Sequence, residues 1–349
     1  MHKDFIFSHK GVVTLSPHKY LTPALQSTTI AILMLLLPQI FLLFLTKSFS
    51  AIFVILVSTM ASVLCEFLIY ISKQSHETMW LIAVEQGILI GLLLPQNYPL
   101  VAVFFIILFT LFMSKYAFGG FSSSWINPIA LCVALCYFLY SIAFPQNIIS
   151  FDDLQIKNPA LVLIQSGSVP ILSCDSSITS FLNNNVFKFF KIVIPEGYVS
   201  LFWDTGALIP AFRFNLIVII SSIILISLDM VQVIPMSCFM VIYLSLVRIF
   251  GSAFVNGTFF DGDVLLALLT SGILFNTLFV FQWYGTIPVS ICGKIIYGVL
   301  SGVTAFFIIG GLESASGYAF VILIMNIISA VIQSIEEKAA RYKVEVRNV

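Results

Sequence analysis

Ser176, Ser177 and Thr179 follow Asp175 in the stretch LSCDSSITSF, residues 172–181, within the only long polar segment of the chain. By residue type alone this hydroxyl cluster reads as a solvated Ser/Thr turn. Glu66 and Glu85, the latter beside Gln86, instead fall inside apolar runs. A charge at the centre of a membrane helix costs roughly 2.5–3.5 kcal/mol on insertion scales, so each carboxylate is a candidate for a cation or proton path. For Glu66 the plainer reading is a charge near a helix end, partly neutralised by Lys73 about two turns on. Gly119 and Gly120 in AFGGFSSSWINP, residues 117–128, can expose backbone N–H groups to an anionic or flavin-like ring, or can simply make a tight turn. Asn127-Pro128 then reads as the cap and first position of the next helix. Arg213 and Lys294 are expected to reach toward a membrane interface.

The elements that must position these residues follow from composition. The chain has 349 residues, 60% of them hydrophobic and 9% charged, with a mean hydropathy of +1.07. That is the composition of an integral membrane protein. Apolar runs of about 20 residues recur, the length that crosses roughly 30 Å of hydrocarbon as a helix. Helices are required because they satisfy their own backbone polar groups in lipid. The expected spans lie near 24–45, 48–72, 78–95, 98–115, 127–144, 209–228, 231–250, 262–283, 287–309 and 315–334, about ten in all. The predicted fold is therefore all-α. It comprises an N-terminal segment (1–23), a first transmembrane half (24–144), a loop cap (145–208), a second half (209–334) and a tail (335–349).

Lys3, Lys10 and Lys19 precede the first span, and Lys338, Arg341, Lys343 and Arg347 follow the last. The positive-inside rule then puts both termini in the cytoplasm and the cap outside. Lys73 and Lys115 agree with this, whereas Lys47 and Arg248 dissent. EQGILIGLLLP (85–95) followed by Lys115 echoes TSGILFNTLFV (270–280) followed by Lys294, which suggests two inverted five-helix repeats meeting at a functional interface. Chance likeness between apolar helices explains the echo equally well.

Several functions are excluded or unsupported. A formal net charge of zero gives nucleic-acid binding no electrostatic basis. The six cysteines form no CxxC or paired framework, and Cys132 and Cys136, though one turn apart, read as small packing residues. His2, His9, His18 and His76 all lie outside the spans, which removes a bis-histidine haem. The N-terminus is basic but lacks the pattern of a cleaved signal peptide. In the cap, NNNVFKFFKIVIPEGYVSLFWDTGALIP interleaves aromatics with turn residues, as a packed cap or a set of headgroup anchors would.

SPH (16–18), Glu66 in SVLCEFL, GILIGLLLP (87–95), SKYAFGGFSSSWINP (114–128), GKIIYGVLSGV (293–303) and GYAFVILIMNIISAVI (317–332) follow one another along nearly the whole chain. In this order they resemble the family of the D subunit of the Rnf electron-transport complex and the B subunit of the sodium-translocating NADH:quinone oxidoreductase. The resemblance implies a subunit of a ferredoxin:NAD or NADH:quinone type complex, not catalytic alone, that couples redox to Na⁺ or H⁺ movement in the bacterial inner membrane. It implies FMN esterified through its phosphate to Thr179 by a flavin transferase, with Ser176 and Ser177 in the attachment motif. It also implies a second flavin, such as riboflavin, or a partner at Gly119, Gly120 and Asn127, while Glu66 and Glu85 remain the candidate ion-path groups from their place inside the spans. Partners would be the other membrane and peripheral subunits and the lipid bilayer.

The sequence departs from that pattern in places. Ser173 stands where an aspartate is expected, although Asp175 is adjacent, and Ser177-Ile178 replaces Gly-Ala. QWYGTIP replaces a T-D-P step, and Ser122, Ser124 and Ile126 alter the glycine motif. Two other readings of the chain are a stand-alone secondary transporter and a flavin-free scaffold subunit.

Overall fold

The computed structural model describes residues 24–73, 79–117, 126–145, 172–190, 192–251, 253, 259–309 and 317–347, and among these it contains helices and no strand. The first half consists of α1 (Leu25–Leu45), α2 (Phe49–Lys73), α3 (Trp80–Leu93), α4 (Leu100–Ala117) and α5 (Pro128–Leu139). The cap supplies α6 (Asp175–Asn185) and α7 (Tyr198–Trp203). The second half consists of α8 (Asn215–Ser227), α9 (Val233–Phe250), α10 (Val264–Thr270), α11 (Ile273–Phe275), α12 (Ile291–Ile309) and α13 (Gly317–Arg347). α11 runs directly into a π-helical turn, Asn276–Val280. Helices α1, α2, α9, α12 and α13 are long and apolar enough to cross a membrane, while α3, α4, α5 and α8 are shorter apolar helices. The protein is an all-α, multi-pass membrane protein.

Among the described residues, nine of the ten expected spans are met by an apolar helix of at least 10 residues, and the departures are informative. The fifth span ends at Leu139 and passes into a 3-10 turn at Ser141–Ala143, and α13 runs on well beyond residue 334. The span expected at 262–283 is broken at Ser271-Gly272. Gly272 has φ +70°, and a Cβ there would overlap the Phe212 ring, so this position excludes other residues on both grounds.

The helices pack by close backbone approach. Gly87 and Gly91, one turn apart on α3, face α2 so closely that a Cβ on either would strike the α2 backbone at Thr59 or Ile55. Ser58 Oγ donates to Gly87 O (2.7 Å) and Ser62 Oγ to Ala83 O (2.7 Å), closing the seam. The second half uses the same device on a different pair. Gly298 and Gly302 of α12 lie against Pro235 and Phe239 of α9. Small residues spaced by four are what membrane helices use for tight contact, where apolar burial gains nothing over lipid.

The first helices of the two halves, α1 and α8, pack on each other, as do the fifth helices, α5 and α13. Like-with-like contacts of this kind are those a pseudo-twofold axis produces. The bundle has two ends, named here the N face, where α1 begins, and the cap face, where α6 and α7 sit.

Candidate functional site

Glu85 lies on α3, one turn and a half from its N-terminus, and is 1% exposed. Its Oε2 accepts from the Tyr284 hydroxyl (3.3 Å), which in turn is 3.2 Å from Thr29 Oγ1 of α1. Oε1 has no hydrogen-bond partner, and neither does either end of the buried Gln86 side chain. Buried polar atoms are nearly always paired, so three orphaned ones on consecutive residues make this place a candidate site for a ligand or an ion.

Glu85 also lines a cavity of about 790 Å³ at the N face. Thr28, Asp229, Gln282, Tyr284 and Lys294 contribute its polar lining, and Phe279 and Trp283 its aromatic wall. Gln232 and Gln282 brace the rim: Gln232 N donates to Gln282 Oε1 (2.7 Å), and Gln282 Nε2 to Gln232 O (2.8 Å). The cavity thus runs from the N face of the bundle to a buried carboxylate. Lys294, expected at an interface, lines this cavity.

The broken helix lies deeper. Thr270 and Ser271 donate to Leu266 O (2.7 Å) and Ala267 O (2.5 Å), and Asn276 Nδ2 donates to Gly272 O (3.0 Å). Phe212 covers the break. It is held by Thr205 Oγ1, which donates to Phe212 O (2.8 Å), and by the Arg213–Asp204 pair beside it. Arg213 donates through Nε to Asp204 Oδ1 (3.0 Å), through Nη2 to Oδ2 (2.6 Å) and through Nη1 to Ser48 Oγ (2.6 Å). Between Leu93, Ala130, Phe212, Asn276 and Tyr318 lies a cavity of only about 10 Å³, room for no more than about one water.

At the cap face Thr179 sits on α6 and is 3% exposed. Its hydroxyl donates to Asp175 Oδ1 (3.2 Å), which also accepts from Gly197 N (3.0 Å). Asp175 Oδ2 accepts from Ser200 N (2.8 Å) and Ser200 Oγ (2.5 Å). Gly197 is the N-cap of α7 and has no side chain, so Asp175 caps that helix from another segment. Burial raises the Asp175 pKa, but the bonds from the Ser200 hydroxyl, the Gly197 and Ser200 amides and Thr179 outweigh it, leaving the carboxyl below its ordinary value.

Of the other expected site residues, Ser176 and Ser177 are exposed on α6. Gly119 and Gly120 lie outside the described residues. Asn127 is fully committed: its Oδ1 accepts from Ile129 N (3.0 Å) and Ala130 N (3.3 Å), and its Nδ2 donates to Val280 O (2.7 Å). It caps α5, as the sequence implied, and ties that cap to the π turn. Glu66 is half-buried on α2 and does not line the cavity that Glu85 reaches.

An FMN phosphoester on Thr179 does not fit this arrangement. Esterification would remove the hydroxyl proton that Asp175 accepts, and would place a phosphate anion against a buried carboxylate whose pKa is already depressed. Sequence reasoning missed Tyr284, Thr29, Ser200 and Gly197. Only Gly197, just before the apolar run YVSLFW, carries a readable helix-start signal.

A family model described as the NQR2, RnfD, RnfE family matches residues 12–341. No curated protein matches the chain.

Proposed function

The chain belongs to the NQR2, RnfD, RnfE family and is thus a membrane subunit of the Rnf/Nqr type, and on that premise we propose that it provides a cation or proton path coupled to the redox work of such a complex. The N face is assigned to the cytoplasm, following the lysines and arginines at both ends of the chain. The ion enters the N-face cavity and reaches Glu85. The observation that carries this reading is that Glu85, a buried carboxylate whose Oε1 has no hydrogen-bond partner, is among the residues lining the N-face cavity. Tyr284 holds the second oxygen and, with its hydroxyl in turn 3.2 Å from Thr29 Oγ1, fixes the carboxylate's orientation. The broken helix and its Phe212 cover form the closed part of the path, with room there for about one water.

The test is Glu85→Gln in the intact complex reconstituted into vesicles, with uptake of Na⁺ and of H⁺ measured separately during redox turnover. At least a tenfold loss of uptake for one of the two ions is expected. Uptake of both ions at the wild-type rate would overturn the assignment. The stand-alone transporter reading is supported by the break at Gly272, since discontinuous helices are a transporter device. It predicts substrate-driven uptake by the isolated chain without any electron donor.

A further inference from the structure

We infer that Thr179 is the bolt of a clasp that fixes the cap onto the second half of the bundle, and that in the assembled protein it carries no flavin. The argument begins with the carboxylate of Asp175. An ionised carboxylate has about four acceptor sites on its two oxygens. Here four donors fill them: Thr179 Oγ1, Gly197 N, Ser200 N and Ser200 Oγ. Two of these are the otherwise orphaned amides at the start of α7, a helix whose own N-cap has no side chain. A third, Ser200, is fully buried and accepts in turn from Leu172 N (3.3 Å). Thr179 supplies the fourth from one turn along α6, so α6 and α7 close on each other around a single charge.

The clasp extends into the membrane half. The Tyr198 hydroxyl donates to Asp263 Oδ2, and Asp263 caps α10 by accepting from Leu266 N (3.0 Å). Asn215 Nδ2 donates to both Leu201 O of α7 (3.3 Å) and Leu269 O of α10 (2.8 Å). The position of α10, the outer part of the broken helix, therefore depends on α7, and α7 depends on Asp175 and Thr179. A phosphoester on Thr179 would remove one donor and set a second anion beside the carboxylate.

The experiment has two readouts, neither of which depends on ion transport. First, the complex is purified from the cells that naturally make it, and the peptide containing Thr179 is weighed. The expected mass is that of the unmodified peptide, with no flavin fluorescence on this chain after denaturation. A mass increase matching esterified FMN on Thr179 would overturn the inference. Second, amide hydrogen exchange is followed in the wild-type complex and in Thr179→Val and Asp175→Asn. Opening the clasp is expected to speed exchange of the Gly197 and Ser200 amides at least tenfold in Asp175→Asn, and by less in Thr179→Val, with α3 unchanged. Unchanged exchange at both amides in both variants would mean that there is no clasp. Should Asp175→Asn fail to assemble, Thr179→Val and the wild-type peptide mass still decide the matter.

Discussion

The third helix of the first half and its counterpart in the second half begin from similar sequence and end as different objects. In EQGILIG the glycine at position 87 lies inside an unbroken helix, and in TSGILFN the glycine at position 272 ends one helix and begins another. The partners of the two helices differ as well. α3 is drawn onto α2 through Gly87 and Gly91, and the serine hydroxyls of α2 bond to its carbonyls. In the second half the close-packing glycines sit on the fourth helix, α12, which takes the place against α9. α10 and α11 carry no such glycine pair; the backbone breaks at Gly272, and α10 is held from the cap through Tyr198 and Asn215. The same difference separates the chemistry. The continuous helix carries a buried carboxylate beside an open cavity, whereas the broken one has Thr270 and Ser271 at the matching positions, with hydroxyls turned back to their own carbonyls.

Substitution at the paired positions 85 and 270 should have the largest and most unequal effect. Glu85→Gln is expected to cut ion uptake at least tenfold, whereas Thr270→Val removes one intrahelical hydrogen bond and costs about 1 kcal/mol or less of stability. Equal transport losses in the two variants would erase the functional distinction between the helices. Next comes Arg213→Ala, which leaves Asp204 buried without its cation. About 3 kcal/mol of destabilisation is expected, the scale for breaking a buried pair, read as earlier thermal unfolding of the detergent-solubilised complex. Because the same segment holds Phe212 over the break, amide exchange in α10 and α11 should rise while that in α3 does not. Gly272→Ala follows, at about 1–2 kcal/mol for the left-handed backbone plus the overlap with Phe212. The sharpening control is Phe212→Ala in the Gly272→Ala background. It should relieve the overlap but leave the backbone term, whereas in Gly87→Ala, where the Cβ meets the α2 backbone, no side-chain truncation can help.

Much of this architecture is legible in the sequence, because hydropathy is a local property and lipid demands long apolar helices. The spans, the N-cap at Asn127 and the exceptional character of Glu85 all follow from neighbouring residues. The break at Gly272 does not, since TSGILFNTLFV reads as one apolar run and the ring that covers it comes from Phe212. The cap is harder still. Ser, Thr and Asn are indifferent helix formers, so DSSITSFLNNN reads as a turn, and it becomes α6 only through tertiary contacts. The partners of the functional groups are equally remote: Glu85 and Tyr284 are 199 residues apart, and Asp175 and Ser200 are 25 apart. The spacing of Gly87 with Gly91, and of Gly298 with Gly302, was the available signal for which helices pack most tightly.

Acid should separate the two third helices with the smallest perturbation. The folded-state pKa of Asp175 lies below its unfolded value, so the stability it contributes is fully present above the unfolded value, about 3.9, and is lost as pH falls through the folded value. The α7 amides of Gly197 and Ser200 should therefore keep their protection through the ordinary carboxylate range and lose it only at lower pH. Because α7 holds α10 through Tyr198 and Asn215, exchange in α10 should rise at the same step, while α3, sealed by Gly87, Gly91, Ser58 and Ser62, should not respond. Asp175→Asn removes the group that titrates at the start of α7, and with it the step in the Gly197 and Ser200 amides. If α3 loosened together with α10 on acidification, the two helices would share one support, and the contrast between a helix sealed by its neighbour and one held from the cap would fail.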